Sequence, residues 1–259
     1  MKRNKHITII SILCFWIHFG FGQSQKPFDK LVSKTNEYLE EYSKLSPFNS
    51  DEFIPLMKSG LPRKDIKYIK KHFNEYDGYS KDSISEFNLL LEFQGLIVEN
   101  ITRIISHKKF EDTRIEELIN LDFDLSIAVS DNRKLFNFSL DEKTGGTYRS
   151  RISITHYIED NVSPTLKSKD DLEIINQHGI FEGDGFDVIY SIETNEGTKY
   201  VLIGNVRGCS YCFESNIMLV KLKDGVFEQD FSYSVNSRSW EEGIVYNPET
   251  KELIAAGGQ

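Results

Sequence analysis

The sequence predicts an α+β protein in which N-terminal helices pack on a C-terminal antiparallel β meander of about 8–10 strands. From residue 28 to about 121, apolar residues recur at the three-and-four spacing of amphipathic helices. From residue 122 onward the period changes to two, which is typical of strands with one buried face. The connections between these strands are too short for a crossover helix, so neighbouring strands must pair antiparallel.

Three regions follow from these patterns: a signal peptide over 1–22, a helical region over 23–122 and an antiparallel β region over 123–259. A meander of this size must close, form two layers or be covered on one face, so we expect a sandwich or half-barrel covered by the helices. A propeller-like fragment is the alternative, because residues 246–253 are typical of a blade hairpin. The fixed period of about 40–50 residues that propellers show is not apparent in the sequence.

Composition excludes several classes of protein. The chain has 259 residues, 39% of them hydrophobic, and three cysteines, which is enough apolar material for a core without a disulfide scaffold. The 12% aromatic content argues against a disordered chain. A formal charge of −9 argues against a nucleic-acid partner, since such proteins normally present a basic face to phosphates.

The first 25 residues have the three-part pattern of a secretory signal peptide. Lys2, Arg3 and Lys5 precede an apolar run over 7–21, and Gly20 and Gly22 provide the small residues of a cleavage site. The run is shorter than the roughly 20 residues that cross a bilayer, which disfavours a retained anchor. We expect cleavage near Gly22, a periplasmic or secreted location, and no membrane insertion of the mature chain.

Export changes the charge. Without the first 22 residues the chain has 28 basic and 40 acidic side chains, a formal charge of −12. Of this, −9 belongs to residues 123–259 and only −3 to residues 23–122. The acidic β region is expected to repel nucleic acid and anionic membranes.

Four helices are predicted, and the longest has an apolar face so wide that we expect it at the centre of the helical layer. Asp77-Gly78 is a stop signal for the second helix. The expected helices span 28–45, 66–76, 82–108 with Asp82 or Ser83 as N-cap, and a short segment capped by Asp112 that contains Ile115 and Leu118.

Nine strands are predicted, separated by short turns rich in Asp, Asn, Gly and Lys. Gly145 and Gly146 are expected to take positive φ in a tight hairpin turn. The strands are expected over 125–129, 135–140, 151–158, 187–192, 199–206, 217–222, 226–233, 243–246 and 252–256.

The first hairpins carry a resemblance. The segment from Ser130 to Asp141, followed by Thr144-Gly-Gly-Thr147, resembles a segment of uncharacterised secreted proteins of Gram-negative bacteria. In those proteins a Ser-x-Asp-Gly-Lys turn opens a strand that ends in Trp-Asp, and a Thr-Gly-Gly-Thr turn follows. Here Asn132-Arg133 replaces Asp-Gly and Leu140 replaces the tryptophan. The resemblance implies a β-rich architecture and export, and it carries over no catalytic residue.

Cys209 and Cys212 are the only cysteines that remain after cleavage. In an exported protein, two thiols at this spacing are most simply a disulfide that fixes the shape of a loop. Tyr211 in that loop is a candidate recognition residue. A thiol oxidoreductase is an alternative, but its first cysteine would need a helix N-terminus. A zinc site is another, but it needs two more ligands, and His156 is expected to be an ordinary side chain on a sheet face.

Few other residues suggest chemistry. Asp184 and Asp187 lie in a glycine-containing turn that we interpret as structural, although their oxygens make them candidate binding residues. Trp240 is expected to anchor the core, with ligand binding as the second interpretation. No catalytic residue, metal ligand or cofactor is predicted.

The sequence therefore favours an exported, non-enzymatic binding or structural module of the cell envelope, whose partner is an unknown envelope protein or small ligand. A periplasmic thiol oxidoreductase or a hydrolase with acidic site residues is the alternative.

Overall fold

A computed structural model describes residues 25–49, 52–72, 78–119, 124–144, 146–158, 184–223, 226–239 and 242–256. Within these ranges the chain forms four α-helices, all in the N-terminal half, and eleven strands in antiparallel sheets. The predicted α+β class is confirmed, and the described strands do not close into a barrel. The predicted signal peptide over 1–22 lies outside these ranges.

The helical layer differs from the prediction at the start of the long helix, because two short strands pair just before it. Ser83–Ser85 pairs with Phe53–Pro55, so the long helix begins at Glu86 rather than at Asp82. The Ser85 hydroxyl accepts a hydrogen bond from the Asn88 backbone N–H at 3.2 Å and is the N-cap. The elements are α1 (Gln25–Ser43), β1 (Phe53–Pro55), α2 (Arg63–His72), β2 (Ser83–Ser85), α3 (Glu86–Ile105) and α4 (Ile115–Leu118).

The prediction was also wrong about the start of α4. Its N-cap is Arg114, whose side chain makes no capping hydrogen bond, and not Asp112. Arg133 instead reaches α4 from the β region, where its guanidinium donates to both carboxylate oxygens of Glu116 at 2.6 and 3.2 Å. A tertiary contact thus stabilises this short helix in place of a local cap.

All nine predicted strands are present, and several are longer than predicted. The β7–β8 pair extends into the turn that contains the cysteines, which leaves only two residues between the strands. The strands are β3 (Leu125–Val129), β4 (Leu135–Asp141), β5 (Arg151–Tyr157), β6 (Val188–Thr194), β7 (Gly197–Cys209), β8 (Cys212–Lys223), β9 (Val226–Ser237), β10 (Gly243–Asn247) and β11 (Glu252–Ala256).

The β4–β5 connection is not the tight turn predicted from Gly145 and Gly146. It spans residues 142–150, and the Glu142 N–H donates to the Ser150 carbonyl at 3.0 Å. Gly146 does have a positive φ of 74°, whereas Gly145 lies outside the described residues. The connection also pairs with the second sheet, since the Arg149 N–H donates to the Arg207 carbonyl at 2.9 Å.

Successive layers stack on one another in chain order. Strands β3–β5 form one sheet, β6–β9 form a second in simple up-and-down order, and β10–β11 form a hairpin. One apolar cluster joins the helices to the first sheet, a second joins the two sheets, and a third joins the second sheet to β10. The helical layer and the first sheet thus share a core that contains Phe93, Phe110 and Phe138.

Lys143 fixes the end of α1 to the first sheet. Its ammonium group donates to the carbonyls of Tyr42, Ser43 and Leu45 at 2.8, 3.2 and 3.3 Å. These carbonyls lie at or just after the end of the helix, where backbone acceptors lack helical partners, although the Tyr42 carbonyl also accepts from the Leu45 N–H at 3.1 Å. A cation at a helix C-terminus also interacts favourably with the helix dipole. The Asp124 carboxylate lies 3.3 Å from the same nitrogen and balances its charge. A lysine from the β region therefore caps the first helix.

Asn137 on β4 is the centre of a hydrogen-bond network that holds the two sheets together. The Asn137 side-chain amide is fully buried and donates to the hydroxyls of Ser153 and Thr155, both at 2.9 Å. Its carbonyl oxygen accepts from the Ser139 hydroxyl at 2.7 Å and from the backbone N–H of Phe186 at 2.9 Å. The amide thus makes four hydrogen bonds, which is its full capacity.

Residues 184–187, which we call the interlayer segment, lie between the sheets. Gly185 has φ of 79°, and a Cβ there would overlap Ser139 Oγ and approach Asn137 Oδ1 to 2.9 Å. On the other side, the Asp187 N–H donates to the Ile203 carbonyl at 2.8 Å. The segment is therefore hydrogen-bonded to both sheets, and only glycine fits at its centre.

His156 lies on a face of β5, as expected, but it is buried against the helical layer and not partly buried or exposed as predicted. Its ring lies edge-on to Phe110, with centroids 5.3 Å apart, and only 7% of the residue is exposed. Nε2 has no hydrogen-bond partner among the described residues. Burial lowers the pKa of His156 to about 4, so the neutral ring is the form that fits the core.

We predict that His156 makes the protein less stable in mild acid. The unfolded chain binds the proton near pH 6.5 and the folded chain only near pH 4, so the free energy of unfolding should fall as pH decreases through this window. The loss should reach about 3 kcal/mol. Urea unfolding between pH 4 and 8 should show that His156→Phe removes this loss relative to wild type.

The matched control is the same change at His72, an exposed residue on α2. His72→Phe should leave the difference in stability between pH 4 and pH 7 as it is in the wild type. A His156→Phe variant that loses stability in parallel with the wild type would show that another group causes the acid sensitivity.

Candidate ligand-binding groove

The predicted disulfide between Cys209 and Cys212 is confirmed, and it closes the turn between β7 and β8. The two cysteines are direct partners in the strand register, with their Sγ atoms 2.02 Å apart. Cys209 ends a strand, so no helix dipole is present to stabilise a thiolate there. Tyr211 lies at the tip and is 76% exposed. Its role in recognition stays a prediction.

The predicted binding residues Asp184 and Asp187 both bind donors of the protein itself. Asp184 accepts hydrogen bonds from the Tyr148 hydroxyl at 2.7 Å and from the Arg151 backbone N–H at 2.8 Å. Asp187 accepts from the Arg151 guanidinium at 2.6 Å and from the backbone and side-chain N–H groups of Asn205 at 2.8 and 3.0 Å. Both carboxylates therefore anchor the interlayer segment. Trp240 lies outside the described residues.

A polar depression of about 330 Å³ adjoins Asp184 on the second sheet. It is lined by Glu214, Asn216, Ser232 and other residues of β8 and β9. Its described side chains include no buried polar atom without a partner, and Asp184 already accepts two hydrogen bonds. The depression therefore lacks the unused buried group that would indicate a ligand.

The helical layer contains a cavity of about 430 Å³ between α1, α2 and α3, which we call the helical groove. Its volume lies within the usual range of small-molecule sites. Residues of α1 at helical spacing form one wall, the start of α2 forms the rim, and α3 forms the opposite wall. Its apolar lining consists of Pro27, Leu31, Tyr38, Pro62 and Leu96.

The charge of the helical groove is opposite to that of the whole chain. A separate depression on the other side of α1 is acidic, since Asp29, Glu37 and Glu40 line it. Among the described residues, the helical groove thus has a net basic lining, in contrast to this depression. Its charged lining consists of five basic residues and one acidic residue, namely Lys30, Lys34, Arg63, Lys64, Arg103 and Glu99.

The start of α2 adds to the positive potential. This ten-residue helix begins at Arg63, which lines the groove, so the positive end of the helix dipole lies at the rim. Asp65 in the same turn opposes this effect in part. The combination of helix terminus and basic side chains favours an anion at this rim.

Tyr38 provides a neutral polar group in the wall. Burial, reinforced by the negative charges of Asp65 and Glu37, raises the pKa of Tyr38 to about 12. The phenol therefore keeps its proton at physiological pH. The Lys34 ammonium lies 4.7 Å from the centre of the Tyr38 ring and 2.6 Å from the Glu37 carboxylate, so its position at the groove is defined.

Asn100 is the most informative residue of the helical groove. It lies on α3, lines the cavity and is only 6% exposed. Its Nδ2 is buried and has no hydrogen-bond partner within the described part of the chain. An unpaired buried donor of this kind destabilises a protein by about 1–3 kcal/mol. Nδ2 is shielded from the groove in this conformation, so a ligand oxygen that accepts from it, and removes this penalty, requires the Asn100 side chain to turn toward the cavity.

The sequence interpretation missed this groove, although it contains a signal. Phe93, Ile97 and Ile104 form a buried stripe on α3, and Asn100 occupies the same stripe at helical spacing. A buried amide within an apolar stripe needs a hydrogen-bond partner, so its position in the sequence indicates a structural or ligand-binding role. The basic residues gave no such signal, because they come from three helices that only the tertiary fold brings together.

The described residues include no group of three or more His, Cys, Asp or Glu side chains placed to hold a metal ion. None of the helices in the described ranges is both long and apolar enough to cross a membrane. Comparisons with models of protein families, with curated proteins and with solved structures gave no match to this chain.

We predict that the disulfide contributes stability and no catalysis. Because the bridge closes a loop of only four residues, replacing both cysteines by serine should reduce the free energy of unfolding by about 2 kcal/mol. Urea unfolding measures this loss, with Ser210→Ala in the same turn as the matched control. A thiol-dependent insulin reduction assay tests catalysis, and any turnover that Cys212→Ser abolishes would contradict the structural role.

Proposed function

We propose that this chain is an exported, non-enzymatic binding protein of the Gram-negative cell envelope, and that the helical groove is its ligand site. The observation that carries the proposal is a preformed cavity with apolar walls, a basic rim and the unpaired buried amide of Asn100. Among the described residues, no group of the fold pairs with the Asn100 amide nitrogen. Because buried polar groups normally have a hydrogen-bond partner, this supports a partner from outside the fold.

Two properties of the chain support export. The first 25 residues have the basic, apolar and small-residue segments of a signal peptide. The two cysteines that would remain after cleavage form a disulfide, and disulfides persist mainly in oxidising compartments.

The resemblance to secreted Gram-negative proteins points to the same location. Arg133 has φ of 57°, in the left-handed region that favours glycine. Glycine stands at this position of the Ser-x-Asp-Gly-Lys turn that the segment resembles. The backbone here is thus compatible with the conformation that this motif requires.

Binding accounts for the described residues better than catalysis does. An oxidoreductase would use Cys209 and Cys212, but these cysteines close a hairpin turn. A hydrolase would use free carboxylates, but Asp184 and Asp187 accept hydrogen bonds from Arg151 and other donors of the fold. The groove lining consists of apolar, amide, phenol, carboxylate and cationic groups, which suit recognition of a small ligand.

The export part of the proposal predicts the mass of the mature protein. Expressed from Met1 in a Gram-negative host, the chain should appear in the periplasm or medium with a mass that starts at Gln23. Phenylalanine at both Gly20 and Gly22 should block cleavage, because the signal peptidase requires small residues there. Intact mass spectrometry of cell fractions is the measurement, and an unprocessed wild-type chain in the membrane fraction would refute export.

A further inference from the structure

We propose that the helical groove binds a small amphiphile with one anionic head group, of the carboxylate class, and an apolar body. This inference rests on the proposed ligand site and names the chemistry of its ligand. It depends on three properties that coincide in one cavity: apolar walls, a cationic rim and an unpaired amide donor on α3.

The rim selects the sign of the head group. Five of the six charged side chains that line the groove are basic, in a chain whose formal charge is −9. Arg103 lies one helical turn from Asn100 on α3, so a cation and the amide donor lie on the same side of that helix. An oxyanion that accepts from both would gain a charge-assisted hydrogen bond and an amide hydrogen bond.

The walls select the rest of the molecule. Leu31 and Tyr38 on α1 face Leu96 on α3 across the cavity, and Pro62 closes the side near α2. A fully polar anion such as phosphate would leave these apolar groups in contact with water. An apolar chain that covers them removes this surface from water, which favours binding. The groove therefore favours an amphiphile over a small inorganic anion.

The effect of replacing Asn100 distinguishes a group that serves a ligand from a group that serves the fold. A buried amide that serves the fold has partners in the fold, as Asn137 has, and its replacement destabilises the protein. Asn100 has an unpaired Nδ2, so the apolar isostere in Asn100→Leu should stabilise the ligand-free protein while it weakens binding. Opposite effects on stability and affinity are the signature of a group retained for its ligand.

Sodium decanoate is the probe, measured by isothermal titration calorimetry at low ionic strength. The protein is used in whichever form, processed or unprocessed, the export experiment yields, so that failed export and failed binding are observed separately. We expect saturable binding of one decanoate. Decanol and decyltrimethylammonium, which share the chain but not the anionic head, should bind at least about tenfold more weakly, because they lose a charge-assisted hydrogen bond.

Variants locate the site. Asn100→Leu should weaken decanoate binding about fivefold or more, which corresponds to one hydrogen bond, and should raise the urea midpoint of the ligand-free protein. Arg103→Gln should weaken binding about two- to fivefold, and salt should reduce the difference. On the surface of α2, Lys64→Gln should weaken binding, whereas Lys67→Gln, three residues further and outside the lining, should not.

Three results would overturn the proposal. One is equal affinity for decanoate and decanol. Another is binding that Asn100→Leu and Arg103→Gln leave unchanged. The third is the absence of saturable decanoate binding. In that case, cosedimentation with phosphatidylglycerol vesicles but not phosphatidylcholine vesicles would show that the rim recognises a membrane surface and not a free molecule.

Discussion

The stacking of the two sheets depends on the hydrogen bonds of one buried amide, Asn137. Its face of β4 is polar, and Ser153 and Thr155 on the neighbouring strand are polar too, so direct packing on the second sheet would leave several buried groups unpaired. The interlayer segment solves this problem, because the Phe186 backbone N–H completes the network while its side chain joins the apolar cluster between the sheets. A fully satisfied polar network of this kind specifies a single arrangement of its layers.

The same constraint employs two carboxylates of the β region in the fold itself. The acidic β region offers carboxylates in its turns, but Asp184 and Asp187 hold the interlayer segment against Arg151 and Asn205 and are used by the fold. The helical layer shows the opposite situation. There Lys143 fixes the end of α1, and the Nδ2 donor of Asn100 has no partner among the described residues. On the proposed function, the contrast between these two buried amides separates a group that serves the fold from a group that serves the ligand.

Local patterns predicted the α+β class and all nine strands of the β region, because each strand carries its own period of two and is bounded by turn residues. The predictions that failed concern contacts between residues that are far apart in the sequence. Asn137 alternates with Phe136 and Phe138 as a solvent-facing residue would, and only residues some 50 positions later bury it. The pairing of Ser83–Ser85 with Phe53–Pro55 shortened the predicted α3 for the same reason. The helical groove was not predictable either, since its basic rim forms only when three helices meet.

The most direct test of the central claim, that the interlayer segment holds the sheets together, compares two glycines by urea unfolding. Gly185 and Gly197 have φ of 79° and 104°, so alanine strains the backbone at both, but a Cβ has open space at Gly197 and overlaps the Asn137 network at Gly185. Gly197→Ala should reduce the free energy of unfolding by about 1–2 kcal/mol. Gly185→Ala should reduce it by about 2 kcal/mol more, because the network must open or the segment must move. Equal losses in the two variants would contradict the claim.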